Sequence, residues 1–149
     1  MNPTTDENRA DTQAKTGSSS VDPDAFDTWT ALQRATDKKR ADIIADIVGH
    51  PKQMPSVEEL DYINPALSDD SIRRHLKTLI DAGVVKEQTL KKGERFRDYP
   101  YKFYGLTAEA RSLFDKNNLF PEAAWQRQYA AVDKTDRIKV VEEMPRPSE

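Results

Sequence analysis

The sequence predicts a mainly α-helical domain with one small β-hairpin and extra helices at its ends. Three observations carry this expectation. Ile72, Leu76, Leu79 and Ile80 recur at helical spacing over 69–82 and leave the polar residues on the opposite arc. Gly83 ends that run, and two strand-like runs, Val84–Thr89 and Tyr101–Tyr104, follow around a loop that contains Gly93. Upstream, caps and breakers divide the chain into short helices.

Taken in order, residues 1–22 hold only Met1, Ala10, Ala14 and Val21 as apolar side chains, too few to offset ordering entropy, and are expected to be a disordered tail. Over 24–35, Phe26, Trp29 and Leu32 fall at steps of three and predict a short apolar stripe. Thr36 is placed to cap a helix over about 37–49, where Ile43, Ile44, Ile47 and Val48 share one side. Gly49-His50-Pro51 reads as its stop signal. Ser56-Val-Glu-Glu59 is a capping box for a short helix with Leu60 and Ile63 turned inward, broken at Asn64-Pro65. Ser68 caps 69–82, and Thr107 caps a helix over about 108–116 that buries Leu113 and Phe114 and ends at Asn117-Asn118. Pro121 suits the first turn of a further helix to about 132, with Trp125, Tyr129 and Val132 at i, i+4 and i+7. A last short helix would hold Ile138, Val141 and Met144 before a Pro-Arg-Pro segment. Helix, helix, helix, strand, strand, helix is the order of a winged helix-turn-helix. Residues 23–116 are expected to form it, and 117–149 a C-terminal helical dimerisation extension and tail.

Bulk composition narrows the function. The 149 residues carry 36% hydrophobic and 33% charged side chains, with no cysteine, so disulfides, thiolate metal sites and a cysteine nucleophile are excluded. No stretch is apolar enough for a membrane span or a signal peptide, and the expected location is the cytoplasm. The net charge of −3 is unevenly spread. Residues 71–102 contain nine basic and four acidic groups, a local +5, leaving −8 elsewhere. Because salt screens beyond about 8–10 Å, the local field governs approach to a polyanion.

These cations define the candidate site. On helix 69–82, Arg74 lies near the centre of the polar face, where a guanidinium can pair with guanine O6 and N7. Ser71 and Thr78 can reach a base edge or phosphate, and Arg73 and Lys77 reach phosphates. In the loop, Lys91, Lys92, Arg95 and Arg97 surround Gly93 and can track the backbone or enter the narrow minor groove. Against a base-stacking role for Tyr99, Tyr101, Phe103 and Tyr104, alternation assigns Tyr101 and Phe103 to packing of the hairpin. His50 and His75, the two histidines, have no further ligand at metal spacing, and no metal or cofactor is expected. No nucleophile constellation or phosphate loop suggests an enzyme. Phe120, Trp125, Tyr129 and Val132 exceed the needs of a small core and are expected at a homodimer interface, with packing onto helix 37–49 of the same chain as the other use.

Ser71-Ile-Arg-Arg-His75-Leu76, followed by Leu79-Ile-Asp-Ala-Gly83-Val-Val85, resembles the recognition helix of winged-helix regulators grouped with the arsenical-repressor (ArsR) family. Tyr104-Gly-Leu-Thr107 is similar to that family's exit from the wing, and Phe103 through Tyr129 is similar to a haloarchaeal branch. The resemblance covers about 37–116, more loosely 117–147, and implies a double-stranded DNA-binding regulator, archaeal or bacterial. Founding members sense metal through cysteine thiolates, which this chain lacks, so a small-molecule effector, if there is one, is left unidentified. A winged helix that serves only as a protein-interaction module is the alternative.

Overall fold

The structure is a computed structural model that describes residues 25–148. The expected disordered tail, 1–22, lies outside the described residues. Among the described residues seven α-helices and two strands follow in order: α1 (Thr28–Ala35), α2 (Lys38–Gly49), α3 (Val57–Ile63), α4 (Asp69–Asp81), β1 (Val85–Thr89), β2 (Lys102–Leu106), α5 (Ala108–Lys116), α6 (Glu122–Ala130) and α7 (Asp136–Glu143). The strands form one antiparallel hairpin, Val85 opposite Leu106 and Thr89 opposite Lys102. This is the mainly α fold with a small hairpin that the sequence predicts.

Local chemistry sets the helix ends. Ser68 Oγ accepts from Ser71 N and Thr107 Oγ1 from Ala110 N, as expected of caps. At the start of α2 the cap is Asp37 rather than Thr36: its carboxylate accepts from Arg40 N, while Thr36 closes α1. Two adjacent residues were both capping types, and the carboxylate holds the position. Gly83, with φ of 76°, makes the left-handed exit from α4, and Thr107 Oγ1 donates to Gly83 O at 2.6 Å to tie the far end of the hairpin to that turn.

The core is one cluster in which Ile43, Ile44, Ile47 and Val48 of α2 meet Leu60, Ile72, Leu76, Leu79, Val84, Tyr104 and Phe114. Alternation misplaces part of the hairpin. Phe103 is buried, but Tyr104 is too, and Tyr101 is 38% exposed. Tyr104 belongs to the main core, its N–H donating to Pro55 O, whereas Phe103 lies beneath the Arg146 guanidinium at 4.3 Å. Both faces of β2 are therefore covered and period-two burial does not apply. The α1 stripe also differs: Ala31 and Ala35 are buried, while Trp29 is 80% exposed.

Residues 117–148 do not stand apart as an extension. Helix α6 lies along α2 and α7 packs on α3. Gly49 makes the first contact possible, because a Cβ there would stand 2.6 Å from Trp125 O. Its place is set by the approach of another backbone, and the stop is made by His50, whose backbone turns extended. Of the residues expected at a subunit interface, Tyr129 is buried within its own chain, its ring 5.4 Å from that of His50. Phe120 meets Phe114 edge-on at 5.0 Å, and Trp125 packs half-buried on the core. Val132 alone of the four is exposed. That corrects the assignment of Tyr129: once α6 covers α2, the ring is filling its own chain.

A buried polar network lies under this layer. Glu59, Ser56 and His50 are buried. Glu59 Oε1 accepts from Ser56 N at 2.9 Å and from Arg146 Nη2 at 3.0 Å, and Oε2 meets His50 Nε2 at 2.6 Å. His50 Nδ1 accepts from Lys52 N, so the ring proton sits on Nε2 and is donated to Glu59. Arg146 also donates to Met54 O, Val141 O and Met144 O. Burial alone would raise the Glu59 carboxyl; the hydrogen bond from His50, with the charge of Arg146 and the Ser56 N–H, outweighs it and holds the group below its ordinary range.

Two outcomes are expected. Gly49→Ala should destabilise the protein by about 1–3 kcal/mol in denaturant unfolding, because overpacking at a backbone contact overrides the gain in helix propensity; a stabilised variant would contradict the contact. Arg146→Ala should lose about 3–5 kcal/mol at pH 7, since it leaves a buried carboxylate uncompensated. A carboxyl with a lowered folded pKa adds stability above its unfolded pKa and loses it as pH falls, so the gap between variant and wild type should narrow below about pH 4.

Candidate nucleic-acid interface

Helix α4 is oriented by its apolar stripe. With Ile72, Leu76 and Leu79 buried, Arg73, Arg74 and Lys77 are exposed. Arg74 Nη2 donates to Ser71 Oγ at 3.0 Å, and Ser68 Oγ donates to the same hydroxyl at 3.2 Å, which limits the rotamers of the guanidinium. Lys77 Nζ lies 3.3 Å from Asp81 Oδ2 in an exposed pair. Such i,i+4 pairs contribute about 0.3–0.5 kcal/mol, so an incoming phosphate can displace the carboxylate. Thr78 is half-buried at the edge of the face, bordering a cleft of about 510 Å³ with Thr30, Arg34 and Arg40.

The hairpin loop is braced. Leu90 N donates to Tyr101 O at 2.8 Å, and residues 92–94 form a single 3-10 turn with Lys91, Lys92, Phe96 and Arg97 exposed around it. Arg95 turns inward: Nε donates to Leu90 O at 3.0 Å and the guanidinium lies 3.9 Å from the Tyr101 ring centroid. Of the four loop cations singled out from sequence, Arg95 is thus engaged in holding the loop. At its root Arg137 of α7 joins Glu58 Oε2 at 2.8 Å, donates to Asp98 O at 2.6 Å and stacks over Tyr99 at 4.3 Å. A cleft of about 480 Å³ is bordered by Asp69 and Arg73 of α4 and by Tyr101 and Lys102 at the base of the loop. The start of α4 and the base of the loop therefore border one cleft.

A third group of cations was not singled out from the sequence. Lys38, Lys39 and Arg40 open α2, where the helix dipole disfavours positive charge, and that misfit was the available signal. Lys38 pairs with Asp42 at 3.1 Å, and Arg40 Nε donates to Arg34 O at 2.7 Å. Lys39 and Arg40 lie close enough to α4 to act on His75, whose pKa is held below 6.5 by burial first, then by Arg40, with smaller parts from Arg74 and Lys39. Nearby Asp37 works the other way. The basic surface thus extends from α4 back across the start of α2.

Among solved structures, a protein with a GntR superfamily winged-helix-turn-helix domain from Halomicrobium mukohataei is similar to this chain. The two are 27% identical, superpose with a TM-score of 0.73, and the match covers 82% of this chain and 86% of that one. No family model and no curated protein matches the sequence. Element order and likeness together make the architecture a winged helix-turn-helix, with α4 the last helix before the hairpin and residues 90–100 as the wing loop. Among the described residues no helix is long and apolar enough to cross a membrane.

Arg40→Gln should raise the His75 pKa toward 6.5 in an NMR titration, because it removes the largest of the charges that oppose protonation. An unmoved or lowered value would show that the start of α2 does not sit over α4 as described.

Proposed function

We propose that this chain is a double-stranded DNA-binding transcription regulator in which α4 enters the major groove and the wing lies on the backbone or in the minor groove. The observation that carries the proposal is that one cleft is bordered by Arg73 of α4 and by Lys102 at the base of the wing, with Arg74 and Lys77 exposed on the same helix and Lys91, Lys92 and Arg97 exposed on the loop above. Arg73, Arg74 and Lys77 with Lys91, Lys92 and Arg97 could then meet a duplex together. Arg74, steered by Ser71, is the candidate reader of a guanine edge, with Ser71 and Thr78 beside it; the others contact phosphates. Arg95 supports the wing that presents them.

The winged helix-turn-helix supports a regulator at the level of the fold, one that offers a reading surface rather than a reaction centre. The α4 motif resembles the ArsR-like branch, while the solved neighbour is described under the GntR superfamily. Both are consistent with regulation from the cytoplasm. A homodimer would let two α4 helices read a palindrome. Trp29, with Val132 and Val140, offers exposed apolar side chains outside the wing for that contact, in place of the buried Tyr129. The effector, if there is one, would have to act on that arrangement.

Duplex binding over a salt series tests the proposal. Arg74→Ala should cost about 1–3 kcal/mol and relax preference at one base pair. Lys91→Ala should weaken all sequences alike and make the slope of log affinity against log salt shallower by about 0.9. Absence of duplex retardation by the wild type at low salt would overturn the proposal in favour of a protein-interaction module.

A further inference from the structure

We propose that Phe96, at the turn of the wing, is an apolar wedge that enters the minor groove of duplex DNA and partly unstacks one base step. The inference rests on the proposed DNA reading and adds a residue to it that the charge pattern does not reveal.

Phe96 is 52% exposed. A single exposed aromatic is ordinary on a protein surface, so exposure alone says little. Its setting says more. Within the same loop Leu90 is buried and the Tyr101 ring is covered by the Arg95 guanidinium, while Phe96 stays exposed. The charged residue is drawn inward and the aromatic one is presented outward, the reverse of the usual partition between protein and water.

The loop is also held in this arrangement from several directions. Glu94 N donates to Lys91 O at 2.8 Å, Arg95 N to Lys92 O at 3.4 Å and Tyr99 N to Phe96 O at 3.2 Å. Arg137 fixes Asp98 O from α7. An aromatic on a braced turn is presented with little ordering left to lose on binding.

Its neighbours specify the partner. Lys91, Lys92 and Arg97 are exposed in the same loop, where Glu94 and Asp98 are the exposed carboxylates. Cations that share a loop with an apolar ring match a surface with anions at the rim and flat apolar groups between them. Phosphates that flank stacked bases have that form. The ring would be inserted at a flexible pyrimidine–purine step, with Arg97 and the lysines on the bordering phosphates. An acidic protein surface would satisfy the cations but offers the ring no stack to enter.

The test uses the full chain and a duplex recovered by selection from a random pool, with 2-aminopurine placed in turn at each step of the recovered site. Wild type is expected to raise the fluorescence at one step. Phe96→Ala should melt like wild type, bind about tenfold more weakly, keep the wild-type salt slope and leave the probe quenched. Phe96→Leu should retain part of both signals. Lys91→Ala should do the opposite, with a shallower slope and the probe signal kept. Phe96→Ala binding within about twofold of wild type with the same probe signal would overturn the wedge while leaving the DNA reading intact. So would a weaker variant with a shallower salt slope, which would show that Phe96 only supports the cations. A wild type that retards no duplex overturns both.

Discussion

The carboxylate of Glu59 is the constraint around which the rest is arranged. A buried carboxylate is tolerated only when its lone pairs and charge are answered, and here each answer comes from a different part of the chain. Ser56 supplies the helix cap, His50 the proton from the end of α2, and Arg146 the charge from 87 residues away. The first two are local in sequence and fix how α3 leaves α2. The third draws the C-terminal segment over the hairpin, where the same guanidinium covers Phe103. One acidic group thus links the helical body, the wing and α7.

That linkage bears on the binding surface. The wing projects from a hairpin whose inner strand is covered on both faces, and its root is tied to α3 and α7 through Arg137. The orientation of α4 is set by Ile72, Leu76 and Leu79 in the core that α2 and α3 share. Helix and wing consequently hold a fixed relation without touching through their own cations. Preorganisation of this kind matters for recognition, since ordering of long basic side chains and loops subtracts from affinity.

Much of this was legible in the chain. Caps at Ser56, Ser68 and Thr107, the exit at Gly83 and the apolar period of α4 depend on residues a few positions apart, and local chemistry decides them. What escaped was set by distant neighbours. Tyr104 is buried because a loop and a helix cover the face that alternation assigns to water. Tyr129 fills its own chain because Gly49 lets α6 approach, a role that no spacing rule assigns to a glycine at a helix end. Arg146, in a proline-flanked segment that reads as a tail, finds its partner only through the fold. At the candidate site the apolar period of α4 turned Arg73, Arg74 and Lys77 outward, and all three are exposed. The charge pattern could not tell that Arg95 turns inward, because an inward and an outward arginine look alike in sequence.

The reach of Arg146 also bears on how the chain is made. As the polypeptide is made, α1 through β2 are synthesised before residue 146. Until then the carboxylate at the centre of the hydrophobic layer has no guanidinium to meet. The winged body is therefore expected to remain loosely closed during synthesis and to consolidate late, so that a half-made chain presents its basic surface without its final rigidity.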